Sequence, residues 1–150
     1  MLLESNLNSM KKLYVGCSLT LLPPHKKEVF LQMITEIKKG LGKNFEVLEF
    51  KGMGDIGTAN PLTPKQVYEW DIRECVMKAD CMLAICDFPS LGLGYEMATA
   101  VEKMNISVLA VAHKDAVVGR IIRGIDHEKF KFEYYNDTKE IIEKTIKLLG

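Results

Sequence analysis

Two short runs in the middle of this chain, residues 81–86 and 106–112, are apolar almost without interruption instead of alternating with polar residues. Strands with this pattern are covered on both faces, which is typical of parallel sheets flanked by helices. Other strand-like runs and five helical stretches alternate with them along the chain. The predicted strands are 13–16, 45–50, 81–86, 106–112 and 130–134, and the predicted helices begin after Pro23, at Thr63, after Gly94, at Ala116 and after Asp137.

This alternation predicts one doubly wound α/β domain of the flavodoxin or Rossmann-like kind, with a five-stranded parallel sheet in the order 2-1-3-4-5. In that order the ligand crevice lies beyond the carboxyl ends of the first and third strands. The loops that follow these strands, residues 17–20 and 87–94, are therefore expected to meet there. Residues 1–11 read as a polar leader, and residues 12–150 are expected to form the domain.

Charge and hydropathy argue against two classes of partner. The chain has 20 basic and 20 acidic residues among 150, so its formal net charge is zero and no overall field attracts a nucleic acid polymer. The longest apolar run, 106–112, is far shorter than the roughly 20 residues that cross a bilayer, so no membrane segment is expected. Residues 1–12 lack the apolar centre of a secretory signal, and a cytoplasmic location is expected.

The four cysteines, Cys17, Cys75, Cys81 and Cys86, form no CxxC pair and fall within predicted strands and a helix. We expect reduced thiols that pack as small hydrophobic groups. A zinc site that combined them with histidines would need ligand pairs at turn spacing, which the sequence lacks. No metal ion or other cofactor is expected.

The glycine-rich stretch 90–94 leads into a helix whose first turn is expected to contain Glu96. Glycines there let backbone N–H groups approach an anionic or sugar ligand, although a plain tight turn has the same composition. A carboxylate in the first turn of a helix is kept ionised by the helix dipole. Glu96 is thus a candidate nucleophile or base, or else a capping residue without chemistry.

Asp71 lies on the apolar side of the second predicted helix, between Tyr68 and Cys75 at helical spacing. Burying a carboxylate is costly unless the group is paired, so such an acid has a structural partner or a chemical role, and the sequence leaves both open. Two carboxylates at one crevice, one of them ionised and the other with a raised pKa, suggest cleavage of a glycosidic bond.

Hydroxyl side chains at the same crevice could bind a phosphate or a sugar. Ser18 and Thr20 follow the first strand, and Ser90 follows the third. Hydroxyl residues in loops are also common as turn formers, so this pattern alone does not decide between the two roles.

Four segments together resemble the nucleoside 2-deoxyribosyltransferase superfamily. They are Leu13-Tyr14-Val15-Gly16-Cys17-Ser18, Asp71 ahead of Ala79-Asp80, Pro89-Ser90-Leu91-Gly92-Leu93-Gly94-Tyr95-Glu96, and Ile122-Arg123-Gly124. The likeness runs from Leu13 to Tyr135 and is greatest to the 2'-deoxynucleoside 5'-phosphate N-hydrolase branch.

The resemblance implies a retaining attack at C1' of a 2-deoxyribosyl group. Glu96 matches the family's nucleophile, which forms a covalent deoxyribosyl-enzyme. Asp71 matches the acid that assists departure of the base, and Tyr14 matches the tyrosine that orients the nucleophile. A 2-deoxy sugar ionises readily to an oxocarbenium ion, which a nearby carboxylate can stabilise and trap. The positions expected to bind substrate are Gly16, Cys17, Ser18, Thr20, Asp87, Ser90, Gly92 and Gly94.

Two positions leave the phosphate and the acceptor open. Two residues after the serine that matches Ser18, the hydrolases carry an arginine, and this chain has Thr20, which removes a charged bidentate phosphate partner. Asp87 resembles an acid of the transferase branch, whereas residues 89–91 favour the hydrolase branch. Water as the acceptor is the leading hypothesis. Transfer of the sugar to a second base is the alternative, and a non-catalytic nucleotide-binding sensor is the third.

The resemblance also implies a homodimer, because the superfamily generally builds its sites at subunit interfaces. Residues 115–123 are the segment expected to reach a neighbour's crevice. Met33, Met77 and Met104 add apolar helix positions beyond what one core needs.

Overall fold

A five-stranded, all-parallel sheet with strand order β2-β1-β3-β4-β5 forms the centre of the protein, as the sequence predicts. The computed structural model describes residues 9–49 and 62–150. β1 pairs with both β2 and β3, so the strand order reverses between β1 and β3. The strands are β1 (Lys12–Cys17), β2 (Glu46–Leu48), β3 (Cys81–Ile85), β4 (Ser107–His113) and β5 (Phe130–Tyr135).

Helices connect the strands on both sides of the sheet. They are α1 (Pro24–Leu41), α2 (Pro64–Tyr68), α3 (Leu91–Ala98), α4 (Arg120–Arg123) and α5 (Thr138–Leu149). The chain continues α2 as a π-helical segment, Glu69–Cys75, and a short 3-10 turn, Val76–Lys78, and it continues α3 as a second π-helical segment, Thr99–Lys103. None of the described helices is long and apolar enough to cross a membrane.

The alternation of side chains along β1 divides them between two cores. Leu13 and Val15 pack on the side of α1 and α5. Tyr14 points to the opposite side, where it packs with Ile72 and Leu93. Successive side chains of a strand point to opposite faces. Tyr14 therefore lies on the face opposite Leu13 and Val15, which is the face that packs against α3 and the first π-helical segment.

β3 and β4 explain the continuously apolar runs of the sequence. All of β3 and the five central residues of β4 are buried. Both strands lie inside the sheet with helices on either face, so these buried positions do not meet solvent and are filled by apolar residues.

Local signals predict the starts of two helices correctly. The Thr63 hydroxyl accepts the Gln66 backbone N–H at 3.2 Å, and the Gln66 side chain accepts the Thr63 N–H at 2.8 Å, which is a capping box. Asp137 caps α5 by accepting the Glu140 N–H at 2.9 Å. These caps need only neighbouring residues, which is why the sequence reveals them.

Other local predictions are wrong in detail. Val29 is 70% exposed, and the adjacent Phe30, 6% exposed, takes the inward position on α1. The helix predicted over 116–123 is reduced to α4, which has no side-chain cap and follows two β-branched valines of low helix propensity. The second strand, predicted over 45–50, is β2. Residue 50, the glycine-rich loop 52–60 and residues 1–8 of the predicted leader lie outside the described residues.

Candidate active site

Tyr14, Asp71 and Glu96 meet between β1, the first π-helical segment and α3. The Tyr14 hydroxyl donates a hydrogen bond to the Glu96 carboxylate. Asp71 and Glu96 line the same open cleft of about 420 Å³. Three residues that lie far apart in the sequence are therefore neighbours in space.

The π-helical segment places Asp71 inside the protein. The backbone N–H of Val76 bonds to the carbonyls of both Asp71 and Ile72, the wider ladder of a π turn. Asp71, Ile72 and Cys75 are buried together, with Asp71 only 8% exposed. π turns inside helices are rare and frequent at functional sites. The sequence predicts a regular helix here, because no local pattern of residues specifies an additional residue in a turn.

Hydrogen bonds tie this segment to the end of β2. The Trp70 indole N–H donates to the Glu49 carbonyl at 2.8 Å, and the Cys75 thiol donates to the same carbonyl at 3.4 Å. Two donors on one carbonyl hold the π-helical segment against the end of β2, so its rotation about the helix axis is restrained.

Glu96 does not lie in the first turn of its helix, and that expectation is wrong. α3 begins at Leu91, so Glu96 falls in the second turn, away from the dipole's positive end. Burial and, after it, the Asp71 charge together raise the pKa of Glu96 to about 8, and the Tyr14 hydrogen bond opposes both. Glu96 consequently holds a proton at neutral pH, which is the reverse of the ionised carboxylate that the sequence suggests.

Tyr14 acts as a donor over the whole physiological range. Its pKa is raised well above the usual value, first by burial and then by the charges of Glu96 and Asp71. A hydroxyl that keeps its proton can only donate to a carboxylate, so the Tyr14 bond favours the ionised form of Glu96.

Gly16 makes room for the Glu96 carboxylate beside β1. A Cβ atom at this position would lie 2.8 Å from Oε2 of Glu96, 2.9 Å from Leu93 and 3.0 Å from Met82. These distances are shorter than van der Waals contact, so any side chain at position 16 moves Glu96 or Leu93. Gly16 thus supports the carboxylate from behind.

We expect Gly16→Ala to lower the free energy of unfolding by about 1–3 kcal/mol, because an added methyl group overpacks a filled site. Gly94→Ala is the matched control, since a Cβ there has no neighbour within 4 Å in the described residues. Urea denaturation of the three proteins measures the difference. Equal stability of the two variants would contradict the close packing of Glu96 against β1.

The loop after β1 contributes support and not a visible binding surface. Ser18 is fully buried, and its hydroxyl donates to the Pro89 carbonyl at 2.9 Å, which joins the two loops. Cys17 is half-buried, and burial raises its pKa to about 12, so it is a neutral thiol. Thr20 is exposed in the turn that follows. None of these three lines the cleft of Asp71 and Glu96 in the part of the chain that is described.

The predicted binding residues that follow β3 lie in different places in the structure. Ser90 caps α3, accepting the Leu93 N–H at 3.1 Å. Gly92 lines the cleft beside Glu96, whereas Gly94 lines a separate cavity of about 90 Å³ next to residues 117–119. Of this loop, Gly92 is therefore the predicted residue that the cleft contacts directly.

Asp87 points away from the cleft. It accepts the backbone N–H of His113 at 3.1 Å and the hydroxyl of Tyr135, so it links the ends of β3, β4 and β5. Burial raises the pKa of Asp87, and these two hydrogen bonds oppose the increase. The carboxyl lines a different cavity, on the side of α1.

Two tyrosines complete the wall of the cleft. Tyr68 and Tyr95 both line it, with ring centroids 6.2 Å apart, and Tyr68 is 37% exposed where the sequence predicts a buried residue. The apolar stripe of the second predicted helix assigns Tyr68 to the core, whereas the structure places it at the cleft. Its spacing of three residues before Asp71 on a helix was the signal available.

Metal ligands are not gathered in the described ranges, 9–49 and 62–150, where no three His, Cys, Asp or Glu side chains lie close enough to share an ion. Structural and catalytic zinc sites use three or four protein ligands. The carboxyl groups of the cleft are those of Asp71 and Glu96, the second of which accepts the Tyr14 hydroxyl.

Comparison with known proteins finds curated relatives for part of the chain. No family model matches the chain. A protein of Thermofilum pendens, provisionally named 2'-deoxynucleoside 5'-phosphate N-hydrolase 1, is 37% identical over 89 residues, which are 59% of this chain and 62% of that protein. The chain thus spans somewhat less than two thirds of the curated relative that it matches.

Two solved structures share the fold. The Clostridium botulinum CMP N-glycosidase BcmB superposes with a TM-score of 0.65 at 20% identity, covering 89% of this chain and 96% of that one. The 2-deoxyribosyltransferase of Bacillus psychrosaccharolyticus superposes with a TM-score of 0.60 at 12% identity, covering 87% and 90%. The two structures show the shared fold, and the sequence match confirms that the chain resembles the 2'-deoxynucleoside 5'-phosphate N-hydrolases, the branch of the nucleoside 2-deoxyribosyltransferase superfamily expected from the sequence.

Proposed function

We propose that this protein cleaves the N-glycosidic bond of 2'-deoxynucleosides or their 5'-monophosphates, with water as the acceptor. The observation that carries the proposal is the pair of carboxyl groups, Asp71 and Glu96, in one open cleft with Tyr14 bonded to Glu96. The name of the Thermofilum pendens relative supports the same substrate class.

In the first step the Glu96 carboxylate attacks C1' as the bond between C1' and the base nitrogen breaks. The base leaves with the bonding electron pair and takes a proton from Asp71. The products are a free base and a deoxyribosyl ester of Glu96. The base leaves as a neutral molecule because Asp71 protonates it, and the oxocarbenium-like sugar is trapped by the Glu96 carboxylate.

The proton starts on the other carboxyl group. In the free protein Glu96 has the raised pKa, about 8, and Asp71 is the charge that helps to raise it. The pair therefore carries one proton, and attack requires that the proton move to Asp71. Positive charge that develops on the sugar favours ionised Glu96, and so does the hydrogen bond from Tyr14.

In the second step water attacks C1' of the ester, Asp71 accepts its proton, and Glu96 leaves as a carboxylate. The released sugar is 2-deoxyribose or its 5-phosphate, and the pair has regained its single proton. Solvent access supports water as the acceptor, because Tyr95 is 54% exposed and Tyr68 37% exposed at the rim of the cleft.

The two ends of the substrate have different partners. The rings of Tyr68 and Tyr95 offer apolar surface to the base. For a phosphate, the start of α3 provides backbone N–H groups, at Leu91 and Gly92, that have no carbonyl acceptor within the helix. Thr20, exposed and uncharged, adds no cation there, so nucleosides remain in the proposed substrate class beside monophosphates.

The test is chromatography of the protein incubated with the four deoxynucleoside monophosphates and the matching nucleosides, each with and without a second free base. Release of base without a second base supports the hydrolase. Exchange that occurs only with a second base would identify a transferase. Saturable binding without turnover would identify a sensor, and either result overturns the proposal.

We also propose that the protein is a homodimer whose second copy covers the surface around α4 and the start of α3. Leu91 is 96% exposed, Val117 89% and Ile121 83%, a concentration of apolar side chains on segments that flank the 90 Å³ cavity. Burial of such side chains is worth roughly 1.5–3 kcal/mol each, which favours association.

Ile121→Glu is expected to convert the dimer into a monomer at micromolar concentration, because a charge would then be buried in the interface. Gln32→Glu, which adds the same charge at an exposed position of α1, is the control. Sedimentation velocity distinguishes the species. A monomeric wild-type protein would contradict the proposal.

A cytoplasmic location remains part of this proposal. All four cysteines are free thiols, three of them buried, which is typical of proteins kept in a reducing compartment.

A further inference from the structure

A second cavity, of about 450 Å³, lies on the side of the sheet that faces α1 and α5. Its floor is the end of the sheet, at Asp87, His113 and Tyr135, and its walls are the first two turns of α1, the ring of Phe88 and the junction of β5 with α5. It is similar in size to the cleft of Asp71 and Glu96, and its lining shares no residue with that cleft. The proposed reaction uses none of these residues.

Aromatic rings make up much of its surface. Phe30 and Phe88 meet edge to face with centroids 5.4 Å apart, and His113 and Tyr135 meet in the same way at 5.5 Å. Val29, 70% exposed, forms the rim. Val29 is exposed and Phe88 is half-buried, so both leave apolar surface of the cavity in contact with water. A flat ring bound there would cover this surface.

Asp87 supplies hydrogen-bond acceptors at the floor. Each of its oxygens accepts one protein donor, the His113 N–H or the Tyr135 hydroxyl. A carboxylate has about four lone-pair sites, so both oxygens keep acceptor capacity for the amino or ring N–H groups of a ligand. On the opposite wall the Lys26 ammonium lies 6.0 Å from the centre of the Phe88 ring and can donate to a ring nitrogen or carbonyl.

The charges of the cavity do not favour an anion. Two carboxylates, Asp87 and Asp137, line it together with one lysine, Lys26, and two histidines, His25 and His113, which carry no formal charge at pH 7. The start of α5, which could otherwise attract a phosphate, is closed by the Asp137 carboxylate on the Glu140 N–H at 2.9 Å. A ligand with a phosphate group would meet net negative charge, whereas an uncharged ring would not.

We propose that this second cavity binds an uncharged nitrogen heterocycle, a purine or pyrimidine base or its nucleoside. Aromatic walls for stacking, acceptors at Asp87 and a donor at Lys26 match the mixed donor and acceptor edge of such a ring. The inference rests on the cavity alone and does not require that the opposite cleft be catalytic.

The site is tested by NMR titration of the ¹⁵N-labelled protein with adenine, cytosine and inorganic phosphate. We expect the bases to shift the amide signals of His113, Asn136 and Thr138 saturably, in the millimolar range or below, and phosphate to leave them unchanged. Shifts confined to Gly92 and Tyr95 would assign the bases to the other cleft and overturn the proposal. Stronger shifts with phosphate than with the bases would overturn it as well.

Two variants of α1 check the location. Val29→Glu places a negative side chain at the rim and is expected to weaken base binding about tenfold or more, because it obstructs the cavity with a charge. Gln32→Glu adds the same charge at an exposed position of the same helix outside the cavity, and binding should change less than about twofold. Both positions are on the surface, so the fold should persist. Equal affinity of the two variants would refute the assignment.

Discussion

Glu96→Gln is expected to abolish turnover while the fold persists. Glutamine keeps the shape of the side chain but cannot form the deoxyribosyl ester, so kcat should fall by at least about 10³-fold. Base release from the best deoxynucleotide or deoxynucleoside, followed by chromatography, measures the loss. Glu102→Gln, at an exposed position of the π-helical segment after α3, is the matched control and should keep wild-type activity.

The same variant should also change the pH dependence of stability. Glu96 has a folded pKa of about 8, above its value in the unfolded chain, so its contribution to stability is present at acid pH and is lost as pH rises through 8. Glu96→Gln has no such loss. Its thermal midpoint should therefore rise relative to that of the wild type between pH 5 and pH 9.

The activity of Glu96→Gln tests the catalytic role of Glu96, and the pH dependence of its thermal midpoint tests the raised pKa of Glu96. Full activity of Glu96→Gln would remove Glu96 from the mechanism even if the stability effect were observed. A constant difference in thermal midpoint across the pH range would show that burial does not raise the pKa of Glu96, whatever the activity.

Asp71→Asn is the second variant with a large expected effect. Loss of the proton donor should slow base release by roughly 10²–10⁴-fold, the usual contribution of a general acid. The variant must still fold, because asparagine has nearly the same shape, and circular dichroism checks this. An unchanged rate would exclude Asp71 as the acid.

For the wild type we expect the rate of base release to fall at alkaline pH. The active form of the pair carries one proton, and the pair loses it as pH passes about 8, so kcat/KM should fall above that pH. In Asp71→Asn the residual rate needs only ionised Glu96, whose pKa drops when the neighbouring charge is removed. The residual rate should therefore be flat above pH 8. A wild-type profile that rises from pH 7 to 9 would contradict the single-proton pair.

The prediction of the fold from the sequence succeeded because it depended on properties that neighbouring residues carry. Uninterrupted apolar runs at β3 and β4 require cover on both faces of a sheet, and helices between the strands supply it. Thr63 and Asp137 cap helix starts through hydrogen bonds to residues only three positions further along the chain. Such features survive without knowledge of any distant contact.

For the candidate site, the sequence predicts which three residues meet but not which of them carries the proton. Tyr14, Asp71 and Glu96 could be selected by residue type, position in a predicted element and resemblance, and the fold does bring them together. Their protonation could not be selected in the same way. The dipole argument for an ionised Glu96 used its own helix, whereas its pKa is controlled by burial and by Asp71, twenty-five positions earlier in the chain.

Sequence alone determined the parallel sheet, its strand order and the layers of helices. Only the tertiary structure decided that the segment around Asp71 winds as a π-helix, that Ser18 joins two loops through the Pro89 carbonyl, and that Asp87 turns to the opposite face of the sheet. The physical reason is the range of the interactions. Patterning and caps act over a few residues, but desolvation, hydrogen bonding between loops and the charge of one carboxyl group on another exist only after distant segments have packed.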